Sequence, residues 1–137
     1  MKFISKSEAE TIEIATNFAQ RVSPGTVVAL YGTLGAGKSA FCRGFIQSLC
    51  KQVEDVPSPT FTLLQTYDAP NFEIYHFDMY RLKQPQEAYE LGIEDAFLDG
   101  VSLIEWPEKI GYLLPKNAIH ITIEINEDQS RLITIEE

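Results

Sequence analysis

Eight consecutive residues, Gly32-Thr33-Leu34-Gly35-Ala36-Gly37-Lys38-Ser39, fit the phosphate-binding pattern G-x-x-x-x-G-K-[ST] without a mismatch. Each residue type answers a chemical need. Backbone N–H groups must turn inward around phosphate oxygens, and a side chain at Gly35 or Gly37 would block that approach. Lys38 supplies a point charge for the β- and γ-phosphates of a nucleoside triphosphate. The Ser39 hydroxyl suits Mg²⁺, a hard cation that takes oxygen ligands. The helix that must follow adds the partial positive charge of its N-terminus, beginning around Ala40.

Such a loop needs a carboxylate to complete a metal site, and neighbouring strand ends are where it is expected. Two places qualify: Asp78, ending Ile74-Tyr75-His76-Phe77-Asp78, and Glu105, ending Val101-Ser102-Leu103-Ile104-Glu105. Either suits the ion's water shell, and either suits orientation of the attacking water. His76 and Asp78 share a strand face, because side chains repeat every two residues. Tyr80 joins them only if the strand runs that far. Arg81 is a candidate positive charge for a transition state. Ser58-Pro59-Thr60 is either a hydroxyl-bearing switch loop or a plain proline turn. Trp106, the one tryptophan, either packs in the core or stacks beside the site.

The elements that must position these groups are readable in outline. Val27–Tyr31 is an apolar run that predicts a buried strand, and Ala40, Phe41, Gly44, Phe45 and Leu49 continue the loop as a helix to about Cys50. Upstream, Ser5 and Ser7 stand three residues before Glu8 and Glu10 at capping-box spacing. Ala9, Ile12, Ala15, Ala19 and Val22 then mark a helical face that Ser23-Pro24-Gly25 ends. After a proline-punctuated loop over 51–59, the β-formers of 60–67 and 72–78 flank a four-residue turn and predict an antiparallel hairpin. A short helix is expected over Gln84–Leu91 and another turn over Glu94–Leu98. Val101–Glu105 reads as a buried strand, and Pro107 as the start of a helix carrying Ile110, Leu113 and Leu114. Alternating Ile119, Ile121, Ile123 and Ile125 form a half-buried strand, and Leu132–Ile135 closes a second hairpin.

A chain of 137 residues is expected to fold as one domain, 1–137, of the α/β class. The expected architecture is a phosphate-loop, three-layer sandwich whose mostly parallel central sheet carries added antiparallel strands. No apolar run reaches the length of a membrane span, and the N-terminus lacks a long apolar signal core, so a cytoplasmic protein is expected. Cys42 and Cys50 lie about 12 Å apart along one helix, too far for a disulfide. No Cys/His group has zinc spacing. The net charge of −9 disfavours tight, direct binding of a phosphate backbone. If the protein serves nucleic acid, a partner holds it.

The phosphate loop together with Ser58-Pro59-Thr60-Phe61-Thr62-Leu63, His76-Phe77-Asp78-Met79-Tyr80-Arg81 and Glu105-Trp106-Pro107-Glu108 resembles the TsaE (YjeE) family over nearly the whole chain. The loop alone is widespread among ATPases; the other three segments are far more specific. The resemblance implies an ATPase required to make N6-threonylcarbamoyladenosine in tRNAs that read codons starting with A. It implies ATP and Mg²⁺ as ligands and TsaB and TsaD as partners, with hydrolysis resetting that complex between turnovers. It further implies that Lys38 grips phosphates and Ser39 ligates Mg²⁺. Thr60 would then belong to a switch, Asp78 and Glu105 would serve metal and water, and Trp106 would lie beside the nucleotide. Ser39 stands where this family commonly has Thr, and both supply the hydroxyl. Two rival readings are a small-molecule or nucleotide kinase, which needs an acceptor pocket and a lid, and a nucleotide-dependent assembly factor that does not hydrolyse. No guanine-reading N/T-K-x-D stretch is present.

Overall fold

The computed structural model describes residues 1–33 and 35–137. In chain order the elements are β1 (Lys2–Ser5), α1 (Glu8–Ala19), β2 (Val27–Tyr31), α2 (Lys38–Leu49), β3 (Leu64–Asp68), β4 (Glu73–Asp78), a 3-10 segment (Pro85–Leu91) and α3 (Ile93–Asp99). β5 (Val101–Glu105), two 3-10 turns (Pro107–Lys109 and Gly111–Leu113), β6 (Ile119–Ile125) and β7 (Arg131–Glu136) follow.

One seven-stranded sheet runs β1-β7-β6-β2-β5-β4-β3. Its four middle strands, β6, β2, β5 and β4, are mutually parallel, and the outer pairings are antiparallel. The arrangement follows from the composition of β2 and β5. Val27, Val28, Ala29 and Leu30 are all buried, as are Val101 through Glu105. A strand apolar on both faces belongs inside a parallel sheet with cover on each side. On one face Val28, Leu30, Leu103 and Ile121 pack under Phe41 and Phe45 of α2 and Phe18 of α1. On the other, Phe77 and Ile104 pack with Met79, Ile93 and Ile110.

α1 starts where the capping spacing said it would: the Ser7 side chain accepts from Glu10 N at 3.1 Å. It lies on α2, with the Phe18 ring 6.2 Å from Phe41 and 6.0 Å from Phe45. The approach is close because Gly44 has no Cβ. A methyl group there would sit 3.0 Å from the Ile12 backbone. Gly44→Ala is therefore expected to destabilise the fold by about 1–3 kcal/mol, an overpacking cost, measured as a lower urea midpoint. An unchanged midpoint would mean that α1 shifts freely on α2.

Several elements differ in extent or type from what the sequence pattern predicts. The N-terminal residues form β1, an edge strand that exists through its ladder to β7 and has too few residues to declare itself locally. Helix α1 stops at Ala19 instead of reaching Val22. Residues 107–114 form two 3-10 turns in place of a helix, and 85–91 is likewise 3-10. Finally, the hairpin strand begins at Leu64, not at Thr60: the Leu63 amide donates to Pro59 O at 2.6 Å, and Leu63 takes a left-handed φ of 69°. That turn peels residues 60–63 off the sheet. No helix of the described residues is long and apolar enough to cross a membrane.

Candidate functional site

The sheet register sets the site. Leu30 of β2 pairs with Glu105 of β5, and Glu105 with Asp78 of β4. Three parallel strands thus end side by side, and the phosphate loop leaves β2 at that same edge, the usual ligand side of an open α/β sheet. A cavity of about 290 Å³ opens there, lined by Gly35, Gly37, Lys38, Ser39, Ala40, Thr60, Asp78, Glu105 and Trp106, among others.

The loop takes the backbone shape its glycines permit. Gly35 has φ +81° and Gly37 φ +117°, and Gly37 caps the N-terminus of α2. A Cβ at Gly35 would meet nothing within 4 Å, so that side of the loop is open space. Gly32, Thr33 and Ala36 do not line the cavity. Gly32 packs against β6, where a Cβ would meet Ile123 O at 2.8 Å, and the Thr33 carbonyl accepts from Ala36 N at 3.1 Å. They shape the loop from behind. Leu34, also expected at the nucleotide, lies outside the described residues.

Lys38 is the anomaly of the site. It is 5% exposed, and its buried Nζ has no hydrogen-bond partner among the described residues. No ion pair joins it to Asp78 or Glu105 among the described residues. It lies against the Trp106 ring, whose centroid is 3.9 Å from Nζ, and shares the cavity with the carboxylates of Asp78 and Glu105. A buried ammonium with open coordination is costly until an anion arrives. Trp106 itself has φ 58°, a strained value for an aromatic residue, and its ring leans on Tyr80 at 4.9 Å. The packing-or-stacking choice left open for Trp106 thus resolves to a half-buried ring at the cavity wall.

The two carboxylates are held differently. Both are 4% exposed. Asp78 has each oxygen engaged: Thr60 Oγ1 donates to Oδ2 and Tyr80 N to Oδ1, each at 3.0 Å. The turn at residues 60–63 is what brings Thr60 there. Glu105 has Oε2 against His76 Nε2 at 2.8 Å, which leaves Oε1 free for an ion's water shell. Tyr80 does not extend the strand, since β4 ends at Asp78. Arg81 is not part of the cavity wall; its guanidinium lies over the exposed Phe61 ring at 5.2 Å.

The fold also gathers three groups that sequence spacing did not connect. The Cys42 sulfur, a His76 ring nitrogen and a Glu105 carboxylate oxygen lie within 4.8 Å of one another. Burial pushes the Cys42 thiol well above its usual range, and the charge of Glu105 adds to this, against the pull of Lys38. Cys42 is thus a neutral core thiol, and both cysteines are free and buried.

These residues fit a triphosphate and its magnesium: an open loop of amides, an unpaired ammonium, the Ser39 hydroxyl and two fixed carboxylates in one cavity. Known proteins resemble this chain over nearly its whole length. The family model described as "Threonylcarbamoyl adenosine biosynthesis protein TsaE" matches residues 5–133. A protein of Rickettsia bellii called tRNA threonylcarbamoyladenosine biosynthesis protein TsaE is 47% identical over 132 residues, covering 96% of this chain and 92% of its own. The Bacillus subtilis protein of that name is 37% identical over 135 residues, with coverages of 98% and 84%. The crystal structure of Bacillus subtilis YdiB superposes with a TM-score of 0.83 at 33% identity, covering 98% of this chain and 83% of the other.

Proposed function

The chain belongs to the TsaE family, and from that premise we propose that it binds and hydrolyses ATP in tRNA threonylcarbamoyladenosine biosynthesis, working on a TsaB–TsaD complex. The observation that carries the nucleotide reading is the buried, unpartnered ammonium of Lys38 at the mouth of an open glycine loop. In this reading the loop amides and Lys38 take the phosphates, and Trp106 yields Lys38 to them. Ser39 and Oε1 of Glu105 would hold Mg²⁺, which would supply charge neutralisation at the phosphates. Asp78, tied to the hydroxyl of Thr60, orients the water, and the loop bearing Thr60 follows the γ-phosphate.

Partner dependence has its own support. Next to Thr60, which lines the cavity, Phe61 is 83% exposed with Arg81 laid over it. A loop this exposed is ordered cheaply by a second surface, so hydrolysis by the isolated chain is slow. The surplus of acidic residues suits a subunit that leaves tRNA to its partners. The test is direct. TsaB–TsaD should be captured by the immobilised chain in a manner that differs among ATP, ADP and no nucleotide, and phosphate release should rise when the complex is added. Equal turnover alone and in the full assembly would contradict the partner role.

A further inference from the structure

The phosphate loop has a second side, and a charged residue from the far end of the chain occupies it. Arg131, the first residue of β7, donates from Nε to Ala36 O at 2.9 Å and from Nη2 to Gly35 O at 3.3 Å. Nη1 donates to Gln129 O. A cavity of about 280 Å³ behind the loop is bounded by Gly35, Ala36 and Gly37 on one side and by Arg131 and Gln129 on the other.

The guanidinium is pre-placed by its own turn. Asn126 N donates to Ser130 O at 2.8 Å, and Asn126 Nδ2 to Ser130 Oγ at 3.0 Å. Ser130 gives two hydrogen bonds to Asp128 Oδ1, at 3.0 Å from N and 2.5 Å from Oγ. Gln129 completes the turn with φ 72°, a left-handed value that is costly without glycine. This chain spends backbone energy to aim Arg131 at two carbonyls.

The consequence lies in the peptide units. No cis peptide occurs among the described residues, so each N–H points opposite to the carbonyl of its own unit. With the Ala36 carbonyl on Arg131, the Gly37 N–H faces the other way, toward the Lys38–Ser39 side of the loop. The preceding amide, Ala36 N, is already spent on Thr33 O. Gly35 and Gly37 leave this stretch free to flip, and a flipped Ala36–Gly37 unit would present a carbonyl oxygen, not an N–H, to a phosphate. A cation bonded to the carbonyl opposes the flip and polarises the N–H into a stronger donor.

We propose that Arg131 is a positioning residue for nucleotide binding, which locks the Gly35 and Ala36 carbonyls outward so that the Gly37 amide meets the phosphates. The proposal rests on the nucleotide reading of the loop. Titration of ADP by calorimetry tests it in wild type, R131A, R131Q and R131K. R131A is expected to weaken ADP about ten- to a hundredfold, the loss of charged hydrogen bonds. R131Q keeps a neutral donor and should recover little, whereas R131K should fall between R131A and wild type. Millimolar guanidinium should restore part of the R131A affinity, which a merely structural loss would not show. Wild-type ADP affinity in R131A and R131Q, or no rescue by guanidinium, overturns the proposal. If R131A does not fold, wild-type affinity in R131K does so instead. Absence of ADP binding by the wild type would fell the nucleotide reading itself.

Discussion

Replacing Lys38 with Met is expected to lower ATP–Mg²⁺ affinity by roughly a hundredfold or more, with only a small change in the stability of the nucleotide-free protein. The first half follows from charge-assisted contacts to phosphate, each of which contributes about 1.5–3 kcal/mol. The second half is less obvious. In the free protein the ammonium is buried, has no hydrogen-bond partner among the described residues, lies against the Trp106 ring, and shares its cavity with two buried carboxylates. An apolar chain of similar length removes a desolvated charge and keeps contact with the indole, but it also removes the cation that faces the buried carboxylates of Asp78 and Glu105. The two effects oppose each other, so Lys38→Met should melt within about 5 °C of the wild type. Calorimetric titration and thermal melting on one sample read both halves. Equal ATP affinity in the two proteins would remove the basis for a phosphate site.

The second large effect separates the two carboxylates. Asp78→Asn is expected to reduce hydrolysis by roughly 10²–10⁴-fold, the usual span for loss of a general base, with ATP affinity changed by only about two- to threefold. The fold should survive, because the Thr60 hydroxyl can rotate to accept from the new amide while the amide oxygen still accepts from Tyr80 N. Glu105→Gln should instead shift the Mg²⁺ dependence, with activity partly recovered at high Mg²⁺, and keep a hydrogen bond to His76. Phosphate release measured across a Mg²⁺ series distinguishes them. If the Mg²⁺ dependence shifts in Asp78→Asn and not in Glu105→Gln, the two roles are exchanged. Wild-type rates in both would dismiss the catalytic pair.

Much of this was readable from local pattern. The phosphate loop declares itself because its chemistry is confined to eight consecutive residues flanked by a strand and a helix. Asp78 and Glu105 stand out because a buried apolar run that ends on a carboxylate needs a reason. What escaped reading depends on distant pairing. The Thr60–Asp78 bond needs the turn at Leu63, which interrupts a run of good β-formers. Strand β1 needs β7, and Arg131 reaches a loop 95 residues away. His76, placed on the Asp78 face by alternation, binds Glu105 across the neighbouring strand, which no single-strand argument supplies. The missing helix at Pro107 is likewise tertiary: Trp106 turns left-handed to reach the cavity, and the residues behind it wind tightly.

Leu63, Trp106 and Gln129 are the three non-glycine residues of the described chain with positive φ. Leu63 opens the segment that carries Thr60, Trp106 forms the wall beside Lys38, and Gln129 steadies Arg131. The conformational tension of this small protein is thus divided between the two sides of its phosphate loop. Such positions invite relief by glycine or asparagine in any programme aimed at thermal robustness, and they are where robustness would be purchased with activity. A more durable version of this protein is better sought on the far faces of its helices.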